Sequence, residues 1–152
     1  MTDTDLTARL AAHLDRQAVV DVTVAYCWAL DRHEFELLRD VFLPDATARL
    51  GDVECDGIQA IIERITRALG PLDDSQHIIS NHEVRIDGDT ATSRCYLHAQ
   101  HVRGAAEGGP NYIVAGRYED ELVRTAAGWR LRRRVLTTMW TDGNPGVVSR
   151  AR

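Results

Sequence analysis

The sequence predicts an α+β domain in which helices come first and a mostly antiparallel sheet follows. Two patterns and one kind of punctuation say so. Apolar residues up to Leu69 recur at helical spacing, those beyond Pro71 alternate at strand spacing, and short turn signals separate the alternating runs.

Leu6, Leu10 and Leu14 begin an apolar stripe that Val19, Val22, Tyr26 and Ala29-Leu30 continue at spacings of three and four. Asp31-Arg32-His33 breaks it. A second helical run over 35–42 stops at Leu43-Pro44, because the residue before a proline disfavours helical backbone. Residues 46–50 read as a brief strand. Gly57 then opens a third helix whose Ile58, Ile61, Ile62, Ile65 and Leu69 share one face, and Gly70-Pro71 ends it. Strands are expected over 77–86, 91–102, 112–123 and 128–140, with Asp87-Gly88-Asp89 as a turn and 104–110 as a small, polar, mobile loop. Nothing is assigned to 143–152. Without internal repeat or linker, residues 1–152 read as a single domain with its core at about 14–143.

Composition excludes several classes of function. At 44% hydrophobic and 27% charged, the 152 residues describe a globular chain. A net charge of -5 argues against nucleic acid as the partner. No apolar run approaches the ~20 residues of a membrane span, and the Met1-Thr2-Asp3-Thr4-Asp5 start lacks the basic-then-apolar pattern of a leader. Cys27, Cys55 and Cys95 are odd in number and widely spaced, which speaks against a disulfide framework and for a reducing cytoplasm. There is no Gly-x-Gly-x-x-Gly or phosphate loop. His98 and His101 fall on opposite faces of a strand, so neither a metal nor another cofactor is expected.

Alternation places Ala91, Ser93, Cys95, Leu97, Ala99 and His101 on the inward face of the second long strand, and Val114, Gly116, Tyr118 and Leu122 on that of the third. Helices laid over such a sheet leave an apolar cleft lined by Leu97, Ala99, Val114 and Tyr118. Taken singly, Asp31 reads as a helix-end carboxylate bonded to backbone and His77 as a satisfied histidine at a strand end. With Tyr26 on the buried stripe and His101 facing inward, they form a constellation. Trp129 and Leu131 set the phase of the last strand so that Arg133 points inward; Arg134 does so only if the strand carries a bulge. A buried arginine needs an anion, for which Asp31 or a substrate oxygen is available.

The runs Tyr26-Cys27-Trp28-Ala29-Leu30-Asp31, Phe42-Leu43-Pro44-Asp45-Ala46, Gly57, His77-Ile78-Ile79-Ser80-Asn81, Gly116-Arg117-Tyr118-Glu119-Asp120 and Gly128-Trp129-Arg130-Leu131 together resemble the SnoaL-like branch of the NTF2-like superfamily. That branch holds scytalone dehydratase, bile acid 7α-dehydratase and hexachlorocyclohexane dehydrochlorinase. The resemblance implies a cone-shaped α+β fold and a catalytic Asp31–His77 dyad. Tyr26 matches a tyrosine of the bile acid dehydratase that is lysine in the dehydrochlorinase. His101 is placed like the second histidine of scytalone dehydratase, Asn81 matches a recurring asparagine, and Arg134 fits the basic residue of the last strand better than Arg133. One feature cuts across this pattern: strict alternation puts His82, not His77, in phase with Val84 and Ile86. Either the strand is irregular near Ser80 or His82 is the inward histidine.

A histidine with a pKa near ~6.5 can accept a proton at neutral pH and typically contributes ~10²–10⁴ in rate. The implied activity is a cofactor-independent lyase of dehydratase type, or an isomerase or cyclase, acting on a small hydrophobic polyketide-, steroid- or aromatic-like molecule. The same fold resembles the small subunits of ring-hydroxylating dioxygenases, which implies the alternative of a non-catalytic binding or assembly module. A homo-oligomer, dimer or trimer, is expected on the same resemblance, in which such sheets commonly pair through their outer faces; the outward Tyr96 and Arg117 are compatible with an interface and equally with solvent.

Overall fold

The computed structural model describes residues 2–148. Helix α1 (Asp3–Asp31) is followed by β1 (Phe42–Leu50), β2 (Val53–Asp56), α2 (Ile58–Leu69), β3 (Asp74–Asp87), β4 (Thr90–Val102), β5 (Asn111–Thr125) and β6 (Gly128–Gly143). Short 3-10 helices occupy Phe35–Asp40 and Pro145–Val147. The strands form one sheet in the order β2-β1-β6-β5-β4-β3, antiparallel except where β1 runs parallel to β6. The sheet curves without closing. α1 packs along β3 at one edge, and α2 packs on β1 and β2 at the other.

The Thr2 hydroxyl caps α1 by accepting the Asp5 N–H at 3.2 Å, and Asp3 and Asp5 complement the positive end of the helix. Burial begins only at Val19. Leu6, Leu10 and Leu14, expected in the core stripe, are 53%, 55% and 59% exposed, because residues 3–14 have no sheet beneath them to pack on. Asp15 marks where the helix meets the sheet. Its carboxylate accepts two hydrogen bonds from Arg124 at 2.8 and 2.7 Å and one from the Trp129 indole at 2.7 Å.

The second helical run is a 3-10 turn that ends at Asp40, so there are two α-helices among the described residues rather than three. β1 passes through Pro44, where its register against β6 is irregular between Phe42 and Thr47, and a missing N–H is tolerated there. The hairpin to β2, unforeseen, turns at Gly51 with φ 65°. The 104–110 loop is pinned rather than loose. Asp73 accepts the Gly104 N–H at 2.6 Å, and the Asn144 side chain donates to the carbonyls of Glu107 and Gly109 at 2.9 and 2.7 Å. Part of the tail left unassigned is ordered as well, with Val147 fully buried; residues 149–152 lie outside the described range.

Two bulges decide which side chains face inward. In β3 the register against β4 jumps between Ser80 and Glu83, with Asn81 in the left-handed region at φ 58°. The phase therefore switches, and His77 and Ile79 point inward before the bulge while His82, Val84 and Ile86 do so after it. In β6, Leu131 stands opposite Leu122 and Arg133 opposite Glu121, so Arg132 is an extra residue. Trp129 and Leu131 are buried, then Arg134. Arg133 is turned aside onto the Thr47 hydroxyl at 3.2 Å.

Candidate functional site

A cavity of about 190 Å³ lies between the helices and the concave sheet face. Tyr26, His77, Leu97, Ala99, His101, Val114 and Tyr118 all contribute to its wall. On its outer side His77, with Asp31, also borders an open surface groove of about 700 Å³ next to Trp28 and Gln76. Both spaces open to solvent; the smaller is the more apolar, and Tyr26, His77 and His101 converge on it.

Asp31 ends α1 where the unsatisfied carbonyls of a helix disfavour a carboxylate. Three donors from β3 hold it nonetheless: the His77 ring at 2.6 Å, the His77 backbone N–H at 2.9 Å and the Ser75 hydroxyl at 3.0 Å. Burial acts to raise the Asp31 pKa, and these hydrogen bonds outweigh it and keep the carboxyl below its ordinary value. An ionised carboxylate only accepts, so the His77 proton sits on Nδ1 and the Nε2 lone pair is left free. The side chains of His77 and Asp31 are 5% and 15% exposed.

His101 stands beside them, its ring 5.5 Å from that of His77 and nearly perpendicular. Its Nδ1 lies 3.2 Å from the Tyr112 carbonyl, which only accepts, so this imidazole too carries its proton on Nδ1. Burial, reinforced by His77, pushes its pKa down to about 4. His101 is therefore uncharged at neutral pH. The Tyr26 ring meets that of Tyr118 at 5.7 Å, and burial pushes the Tyr26 phenol up to about 12 and the Tyr118 phenol well above its ordinary value. Both remain hydrogen-bond donors at neutral pH.

Three expectations need correction. Arg134 does face inward, but its anion is neither Asp31 nor a substrate: Nε and Nη2 donate to Asp120 at 2.8 and 2.7 Å, and both side chains are 0% exposed. The guanidinium lies 4.2 Å from the Tyr26 ring and 4.0 Å from the Tyr118 ring, beneath the cavity rather than in its wall. Asn81 is exposed on the outward face and lines no part of the cavity, since its left-handed backbone makes it the bulge residue. His82 faces inward yet is engaged elsewhere. Its Nε2 is 3.0 Å from the Thr23 hydroxyl, which itself donates to the Val20 carbonyl at 2.7 Å, and so it ties β3 to α1.

Ser75 and Asp120 were missed. Both were signalled by alternation, Ser75 being in phase with His77 two residues on, and Asp120 with Tyr118 and Leu122. A charged residue in an inward phase is easily passed over when its partner is not yet placed.

The sequence profile described as the SnoaL-like domain matches residues 11–135. The chain belongs to that family. An uncharacterized protein of Mycobacterium tuberculosis strain H37Rv is 36% identical to this SnoaL-like protein over 128 residues, which cover 81% of this chain and 84% of its own. Two solved structures from Novosphingobium aromaticivorans are also similar. One, provisionally named an aromatic ring hydroxylase, is 30% identical with a TM-score of 0.77, covering 86% of this chain and 93% of its own. The other, provisionally named a scytalone dehydratase, is 25% identical with a TM-score of 0.77, covering 95% and 92%. The architecture is that of the NTF2-like superfamily.

Proposed function

We propose that this SnoaL-like protein is a cofactor-independent lyase of dehydratase type acting on a small hydrophobic hydroxy-carbonyl compound. The observation that carries the reading is the Asp31–His77 pair, bonded through Nδ1 at 2.6 Å, with Nε2 free beside an apolar cavity. Similarity to the protein provisionally named a scytalone dehydratase supports it.

In this mechanism Nε2 of His77 takes a proton from the carbon next to a carbonyl, and Asp31 stabilises the imidazolium that results. The electron pair moves toward the carbonyl oxygen, where the Tyr26 hydroxyl donates a hydrogen bond to the growing charge. As the hydroxyl on the adjacent carbon departs, the imidazolium returns its proton to that oxygen. Water leaves, a carbon–carbon double bond remains, and His77 is neutral again. The unprotonated Nε2 of His101 accepts a hydrogen bond from the departing hydroxyl and orients it. Where no group can leave, the same proton returns to another carbon, and the outcome is isomerisation.

The test is turnover of aromatic β-hydroxy ketones to enones, followed by absorbance. His77→Gln should lower kcat/KM by at least ~10²-fold with the circular dichroism spectrum unchanged, while the outward His98→Gln has no effect. Wild-type turnover by the His77→Gln protein overturns the mechanism.

A second reading, a non-catalytic binding or assembly module, draws on the similarity to the protein provisionally named a ring hydroxylase. It predicts co-purification with a Rieske-type chain and indifference of the assembly to His77→Gln.

A further inference from the structure

The cavity wall includes a charge that the dyad chemistry does not use. Arg64 of α2 contributes to the wall, and its Nε is buried without a hydrogen-bond partner. The other half-buried or buried arginines among the described residues are engaged. Arg49 pairs with Glu54 at 3.8 Å, Arg133 meets Thr47 at 3.2 Å, and Arg134 is held by Asp120. Arg103 and Arg130 donate to the carbonyls of Gly146 and Trp129 at 2.6 and 3.4 Å. Arg64 makes no hydrogen bond or ion pair with any described residue. The thiol of Cys55 feels its charge, but burial outweighs Arg64 and pushes that thiol up, so it stays protonated at neutral pH. A neutral thiol cannot balance a guanidinium. Of its guanidinium nitrogens only Nε is buried, so the others stay open to water and to a ligand, and an anion entering the cavity would meet a cation that no carboxylate among the described residues neutralises.

Its position says where that anion would sit. α2 packs on β1 and β2 at one edge of the sheet, whereas His77 is on β3 at the opposite edge. The cavity lies between the two walls. We propose that Arg64 is a substrate-recognition residue and that the substrate is a hydroxy-ketone acid whose carboxylate meets Arg64 at the end remote from the C–H that His77 attacks. The separation is chemically required. A carboxylate on the reacting carbon would oppose the negative charge that develops there, so the activating carbonyl and the carboxylate must be different groups. This inference deepens the lyase reading by naming its substrate class, and it rests on the cavity being the substrate site.

Binding, not turnover, tests it. Benzoate, cinnamate and 2-naphthoate, each alongside its primary amide, are titrated calorimetrically at pH 7 into the wild-type chain and the Arg64→Gln, Arg64→Lys and His77→Gln variants. At least one acid should bind wild type roughly tenfold or more tighter than its amide, as a charge-assisted hydrogen bond supplies. Arg64→Gln should erase the preference, Arg64→Lys restore part of it, and His77→Gln leave it intact. If no acid outbinds its amide in the wild type, including the case where none binds, the inference is overturned. It is equally overturned if Arg64→Gln keeps the preference. A preserved acid preference together with an active His77→Gln protein would sink the dyad mechanism and leave Arg64 standing.

Discussion

Asp31 acts on His77 through two hydrogen bonds at once, one to the ring and one to the backbone N–H, so it sets both the tautomer and the place of the imidazole. Replacing it with asparagine keeps the shape but lets the amide donate to Nδ1, which turns the proton onto Nε2 and removes the base. Asp31→Asn should therefore lower kcat/KM by about 10²-fold or more with little change in fold, read by steady-state kinetics and circular dichroism. Asp31 and His77 were legible as a pair only through the family resemblance, because singly each reads as an ordinary helix-end carboxylate or strand-end histidine. Their hydrogen bond was not legible, since residues 31 and 77 meet only through the packing of α1 on β3. Asp120 was overlooked although Arg134 was already favoured as the inward cation, because Asp31 or a substrate oxygen was taken as its anion.

The elements show where periodicity succeeds and where it stops. α2 and the alternation of β4 and β5 follow directly from apolar spacing, and their inward residues are buried or line the cavity. A bulge is one extra residue, and a period of two cannot say where it falls. Asn81 was expected to touch substrate, yet its contribution is a backbone conformation that asparagine adopts more readily than most residues. Because the β3 bulge lets His77 and His82 share the inward face, Asn81→Val should cost about 1–3 kcal/mol. Asn81→Gly should cost less, and calorimetric melting measures both. β2 escaped notice because its four residues offer too short a pattern to count.

For the molecule as a whole, the Asp120–Arg134 pair and the buried histidine set the terms of stability. Removing only the carboxylate strands a fully buried guanidinium, so Asp120→Ala should destabilise by about 3–5 kcal/mol in urea titration. The double replacement Asp120→Leu with Arg134→Met should recover most of that loss. His101 has its folded pKa depressed to about 4, so the unfolded chain takes up that proton first as pH falls from about 6.5 toward 4. Stability should drop by about 3 kcal/mol across that window, and His101→Gln should flatten the slope. Asp31, also depressed, adds a loss only at lower pH, where its carboxylate is protonated and stops accepting from His77 and Ser75. In the proposed mechanism this scaffolding serves one act, the removal of a proton from carbon by His77. That act is read by dissolving the protein in D₂O with aryl ketones such as 1-tetralone and following the loss of the α-proton NMR signal. The account predicts exchange at least about 10²-fold faster with wild type than with His77→Gln; equal exchange rates for the two proteins would contradict it.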